Sequence, residues 1–515
     1  MLMKFAGAAA LAVWTGLSAC PAAAQTTPAN TLVIAEPFEP QTLDPTTNTI
    51  DLITTITQNV FEPLYAFDRT WQPAPILAAG PAKISEGAKT VTIPLRQGVK
   101  FHNGQTMSSA DVVASLQRWQ KLSPRGKLAA EATESIRAVD EQTVEIRLKQ
   151  PFAPLLSLLS FFNAAAAMMP KAEAEAAMDG PIRDIGKYIG TGPFRIVERR
   201  PDQFLRLERF DAYAGPEGAA SGFAGQRAAR VNELRFVPVP NANTRLEGVL
   251  SGQFDVADAL SSEFYDRVKA SERVAPFVPK PGGWILLVMN TKQGPTANLA
   301  FRQAVQAVLD HDSIMLAAFG NPDFFAIHPG LYQAPSPFVS DAGANAFNRK
   351  DLARAKQLLD QSGYKGESFR IITSQQYDFV YKAALVAAEN LRQIGIKAEL
   401  VTMDWASVLE KRNDPAIWEA FVTFHGFVPE PALFTILNPS YAGWWDTPAK
   451  RAALDRFNSI VDPAARAQTW AEVQRLFLEE APTVQLGEYY SLVGVSKKVQ
   501  GYQPIPLAPF WNVSK

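Results

Sequence analysis

The sequence predicts an α/β protein made of two α/β lobes, with an α+β segment inserted in the first. Three observations predict it. The 515 residues exceed what one ordinary domain encloses around a single core. The C-terminal third alternates apolar strand-like runs with amphipathic helical stretches, the pattern of a βαβ unit. Residues 89–148 combine strand-like alternation with one capped helix, which is α+β in character. Hydrophobic residues make up 47% and charged residues 20%, values that supply a large globular core.

In chain order, residues 31–35 (TLVIA) read as a buried strand, and 36–45 as a Pro-rich loop. Across 89–96, Val91, Ile93 and Leu95 alternate with Thr92, Pro94 and Arg96. Pro94 has no N–H to give a ladder, so an edge strand or a bulge is expected there. Asn103-Gly104 signals a turn. Ser108 or Ser109 can cap a helix that carries Val112, Val113, Leu116 and Trp119. Residues 143–148 alternate as a strand. The uncharged stretch 151–170 has nearly the length of a membrane span, but Pro154, Ser157, Ser160 and Asn163 interrupt it, so a buried helix plus strand is expected. Strands are expected within 194–239 and at 284–290, and a helix at 301–309. A helix at 351–360 ends near Gly363. Then come a strand at 369–373, a helix at 378–394 and a strand at 396–401, a βαβ unit that implies parallel pairing. A helix at 464–480 and a strand at 484–486 close the chain.

The N-terminus reads as a secretory leader. Lys4 is the only charge in the first two dozen residues, an apolar stretch follows to Leu17, and small residues reach Ala24. Cleavage after Ala24 gives residues 1–24 as signal peptide. The competing reading makes Cys20 a lipidated first residue. Cys20 is the only cysteine, so disulfides, a thiol nucleophile and cysteine-ligated metal are excluded.

The formal net charge of −1 gives no pull toward nucleic acid or an anionic membrane. The four histidines, His102, His311, His328 and His425, form no zinc-like spacing. There is no G-x-S-x-G elbow and no phosphate-binding loop. Gly190-Thr191-Gly192 lacks the third glycine of a dinucleotide motif and reads as a turn into a strand. No cofactor and no metal are expected, nor any catalytic residue. The aromatic concentration between Trp405 and Trp445 does stand out. Most of it is core, but 424–431 (FHGFVPEP) is loop-like, and aromatics on a loop tend to face a cleft. Arg412 precedes it and could pair with a ligand carboxylate.

The stretch Leu95-Arg96-Gln97-Gly98-Val99-Lys100-Phe101-His102-Asn103-Gly104, followed by Ser109-Ala110-Asp111-Val112-Val113, resembles a signature of the peptide/nickel-type extracellular solute-binding proteins of ABC importers. Leu43-Asp44-Pro45, Phe61-Glu62-Pro63-Leu64, Gly190-Thr191-Gly192-Pro193-Phe194, Met289-Asn290, Phe301-Arg302-Gln303-Ala304 with Asp310, and residues 355–364 match in the same order. The resemblance implies a periplasmic-binding-protein type II-like fold, with two α/β lobes around a ligand cleft and an α+β domain inserted in the first lobe. Lobe I would hold residues 25–47, 187–283 and 484–515, the insertion 48–186, and lobe III 284–483. It also implies a monomeric periplasmic protein that closes by a hinge on a small-molecule or peptide ligand and delivers it to ABC permease subunits.

By the same resemblance, Trp405 and Arg412 fall on pocket positions, and Phe424 falls where a tryptophan is common. Phe427 stands where peptide binders carry the aspartate that holds a free amino terminus. Glu430 belongs to the family's acidic-Pro pair. Nickel binders place a histidine where Ala432 stands, so nickel is not implied. The expected ligand-binding set is Trp405, Arg412, Phe424, His425, Phe427, Glu430, Trp284 and Tyr489, around an aromatic, mostly uncharged pocket. That pocket would suit a flat apolar, sugar-like or carboxylated ligand. Alternatives are peptides held through their backbone alone, a chemosensory role, and an exported hydrolase.

Overall fold

The computed structural model describes residues 30–85 and 87–515. The signal-peptide reading of 1–24 and the lipidation reading of Cys20 lie outside the described residues.

Two mixed sheets organise the molecule. The first has seven strands in the spatial order Val274–Phe277, Leu492–Ser496, Val256–Leu260, Thr31–Glu36, Glu233–Pro238, Phe204–Arg209 and Phe194–Arg200. Its central strand Thr31–Glu36 is buried along its whole length and pairs in parallel with Glu233–Pro238 and Val256–Leu260. Burial on both faces is why TLVIA reads as a continuous apolar run. The second sheet has six strands, in the order Phe325–Ala326, Thr483–Tyr489, Gly283–Met289, Ala420–His425, Ser368–Thr373 and Lys397–Thr402. The expected βαβ unit is present. Ser368–Thr373 and Lys397–Thr402 pair in parallel, joined by the helix Asp378–Arg392. That helix packs on one face of the sheet with Leu299–Val308 and His311–Phe319. The helices Pro448–Ser459 and Pro463–Glu480 contribute to a core on the other face. Asp351 caps the helix Leu352–Ser362, and Gly363 ends it at φ 74°.

Residues 51–188 add a separate core around a four-stranded antiparallel sheet, Lys83–Ser85, Thr90–Pro94, Thr143–Leu148 and Thr133–Asp140. The helix Ser109–Leu122 lies against it, opened by Ser108, whose N–H and hydroxyl both donate to Asp111 at 2.8 Å.

Three expectations change. Pro94 is not on an edge strand, because Thr90–Pro94 lies between two partners. The outer partner is only three residues long and pairs up to Thr92, so it never needs a donor from Pro94. The 151–170 stretch contains one helical turn, Leu155–Leu158, and no strand. It is buried as irregular chain whose backbone is satisfied from outside. Trp119 Nε1 and Ser123 Oγ donate to Ala164 O, and Met168 N donates to Glu62 O. Finally, residues 484–489 were expected in the first lobe. They pair instead with Gly283–Met289 in the second sheet, and the chain crosses at Tyr490 to reach the first sheet by Leu492.

The family-like motifs prove to be fasteners. His102 Nδ1 accepts from Gly190 N at 3.2 Å while Nε2 donates to Gly192 O at 3.0 Å, so the ring clamps the Gly-Thr-Gly turn. Burial lowers His102 to about 4, which keeps it neutral for this double role. Glu62 accepts from Thr191 Oγ1, Tyr213 Oη and Arg227 Nη1 at 2.8–2.9 Å. Asp44 is paired with Arg118 and accepts from Ile182 N at 2.8 Å.

Candidate functional site

A cavity of about 560 Å³ lies where the two sheets and the inserted segment meet. The first sheet supplies Glu36, at the end of its central strand, and Asp258 and Tyr502 beside it. The inserted segment supplies Asp51, the first residue of the helix Asp51–Thr57, together with Trp71 and Phe161, and Phe223 from the following part of the chain packs beside them. The second sheet and its loops supply Tyr377, Phe424, Phe427 and Tyr489.

Part of the wall is a connected set of rings. Phe424 lies 4.9 Å from Tyr377, 5.2 Å from Phe379 and 6.2 Å from Tyr489, ring centre to ring centre. Phe427 reaches across the cavity and packs 4.8 Å from Trp71. Trp71 holds φ at +60°, a conformation a bulky residue keeps only when its surroundings fix it. Contacts to Phe67, Phe223 and Phe427 do so here. A second bridge joins the same two parts, with Ala153 N donating to Asn458 O at 2.7 Å.

Among the described residues lining the cavity, the charged ones are Glu36, Asp51 and Asp258, all acidic. Glu36 is 2% exposed, and apart from the neighbouring Asp258 carboxyl no group hydrogen-bonds its oxygens. Burial, and then the neighbouring Asp258 carboxylate, push Glu36 well above the usual carboxylate range. Burial also raises Asp258. Arg245 is near, but its guanidinium donates to the backbone oxygens of Val239, Pro240, Asp258 and Ala259. Asp51 is exposed on the cavity wall yet enclosed by surrounding protein, and that enclosure raises it. One of its oxygens accepts from Asn163 Nδ2 at 3.0 Å, and Asn163 in turn accepts from Arg125.

Of the eight expected residues, Phe424, Phe427 and Tyr489 line this cavity. Trp405 stands behind the wall, stacked 5.6 Å from Phe424. Trp284 is 1% exposed and donates Nε1 to Leu331 O at 2.9 Å, a core position. Glu430 is fully buried and held by both Nη atoms of Arg466, at 2.6 and 2.8 Å. It therefore has no free oxygen for a ligand ammonium. Arg412 and His425 form a small buried network with Tyr441. Arg412 Nη1 donates to Tyr441 Oη at 3.3 Å, and that oxygen lies 3.1 Å from His425 Nε2. Burial, then the Arg412 charge, lower His425 to about 4, so the neutral ring accepts from Tyr441. Neither Arg412 nor His425 lines the cavity, so the expected ligand carboxylate has no arginine to meet there.

Sequence reasoning missed the acidic residues and Trp71, Phe161 and Tyr377. Glu36 alone had a signal, as the first polar residue after the apolar run 31–35.

The family of bacterial extracellular solute-binding proteins, family 5, middle region, matches residues 72–444. A probable peptide ABC transporter periplasmic-binding protein of Sinorhizobium fredii is 26% identical over 492 residues, which is 92% of this chain and 91% of that one. Among solved structures, an Agrobacterium tumefaciens periplasmic binding protein in complex with agropinic acid is 25% identical. It covers 92% of this chain and 95% of its own, with a TM-score of 0.74. A Helicobacter pylori periplasmic binding protein holding the peptide STSA is similar in fold. It is 21% identical with a TM-score of 0.76, over 94% of this chain and 98% of its own.

Proposed function

Since this chain belongs to the bacterial extracellular solute-binding proteins of family 5, we propose that it captures a small solute in the central cavity by hinge closure and presents it to the permease of an ABC importer. It is the substrate-binding component of such an importer. The observation that carries the site assignment is that the cavity is walled from both sheets and from the inserted segment at once. A ligand there contacts parts that separate when the cleft opens, so it favours the closed form.

The hinge is the pair of crossings between the sheets, near Gly282 and Tyr490. Gly282 N donates to Glu488 Oε1 at 2.6 Å, and Glu488 Oε2 pairs with His328 at 2.8 Å. A Cβ on Gly282 would lie 1.7 Å from Tyr489 O, so only glycine fits this crossing. The cycle is capture, closure and release, with no bond made or broken. The working protein is a periplasmic monomer exported by its leader, with permease subunits as partners. The solute is a peptide or a non-peptide compound of similar size, as in the relatives named above.

The test is mass spectrometry of whatever remains bound after gentle purification, followed by thermal denaturation with the identified compound added back. A ligand present at a hundred times its dissociation constant adds about 2.7 kcal/mol to the folded state. Stabilisation that disappears on Phe424→Ala supports the cavity as the site. Undiminished stabilisation in that variant places the ligand elsewhere.

A further inference from the structure

We infer that the cavity selects an organic cation, whose ammonium or guanidinium group is received by the Glu36–Asp258 pair, with Asp51 as a second anionic contact. The inference deepens the solute-capture reading and rests on it.

Three independent observations converge. First, every charged side chain on the described wall is acidic, the arginines that act on these acids, Arg245 and Arg125, donate to backbone and amide oxygens, and Lys280, between the lining residues Pro279 and Pro281, lies over the Tyr490 ring. Second, Glu36 lies buried on the wall with no basic or amide donor on either oxygen, and the group it hydrogen-bonds is another carboxyl, Asp258, so the pair can ionise fully only beside a cation. A buried carboxylate that lacks a donor is unstable unless a proton or a cation joins it. Third, the uncharged wall carries many rings, among them Trp71, Phe161, Tyr377, Phe424 and Tyr489. Ring faces attract cations and carry no charge of their own.

A metal ion fits less well than an organic cation. Among the described residues no three acidic or histidine groups gather as metal ligands would. A zwitterionic peptide also fits poorly, because no cationic side chain on the described wall meets its carboxylate.

The test is fluorescence titration and thermal shift at pH 7.5 with tyramine, cadaverine and spermidine, each alongside its fully N-acetylated, uncharged counterpart, plus trialanine as a zwitterion. At least one free amine is expected to bind, with acetylation abolishing binding. Glu36→Gln/Asp258→Asn and, separately, Asp51→Asn are expected to weaken that amine by about tenfold or more, the scale of losing charge-assisted hydrogen bonds. Circular dichroism of the variants separates a lost site from a lost fold. Equal binding of the acetylated compounds or of trialanine overturns the inference and leaves solute capture standing. Unchanged affinity in the double variant does the same. Binding by no compound of any charge overturns the inference and counts against capture as well.

Discussion

Glu36 and Asp258 sit within reach of each other at the mouth of one strand, and their effect on stability has a defined sign. Both carboxyls are raised in the folded protein, so their contribution is most favourable at low pH and is lost as pH rises through the folded value. Glu36→Gln/Asp258→Asn removes that loss. The empty double variant is expected to be more stable than the parent at pH 7.5 by about 1–3 kcal/mol. The gap should close as the solution is acidified toward pH 5. Urea midpoints of both proteins across that range check it, and a gap that widens on acidification would contradict the assignment. Residues of this kind were hard to find in the sequence. Glu36, Asp51 and Asp258 are three of 51 acidic residues, and they line one cavity only through the fold. Glu430 shows the reverse case. Its place in the acidic-Pro pair was legible, but its partner Arg466, on a later helix, was not.

At the scale of elements, most of what was periodic was legible. The helix 378–394 and the strand 396–401 fall within two residues of their observed bounds, because alternation and helical spacing report burial directly. The stretch 151–170 defeated that reading. It is buried on all sides and satisfied by bonds to distant groups, so it has no period to read. The Gly190-Thr191-Gly192 turn was legible as a turn, whereas its clamp by His102 needed the fold. That clamp leaves no space for a side chain, since a Cβ on Gly190 would stand 2.1 Å from Val60 O. Gly190→Ala is expected to destabilise the protein by about 2–3 kcal/mol. His102→Phe, which removes both hydrogen bonds to the same turn, should destabilise it as well. Thermal melts of each variant measure this, and an unchanged melt for Gly190→Ala would show that the turn relaxes freely.

For the whole molecule, the contact that matters most is Phe427 against Trp71, because it joins parts that a hinge would separate. Phe427→Ala is expected to shift the empty protein toward the open form, with a larger radius of gyration in solution scattering. The same variant should bind its ligand about tenfold less tightly, the scale of losing one buried aromatic pair together with its area. An unchanged radius with weakened binding would make Phe427 a wall residue only. The two-lobed plan with an insertion was legible from length and from ordered motifs spread along the chain. The point where the chain crosses near Tyr490 was not, since a strand and its continuation read alike across a boundary between sheets.

The wall of the cavity sets two tendencies against each other. The rings gain contact when the cleft shuts, whether or not anything is inside. The carboxylates lose water when it shuts, and either a proton or a cation inside returns what they lose. With nothing inside, the two oppose each other. With the right cargo, both favour shutting. Such a receptor would seldom offer an empty, shut face to the transporter, and so would spare it idle rounds of ATP hydrolysis. Discrimination would then come less from a tight grip on the cargo than from the reluctance of two acids to be sealed in alone.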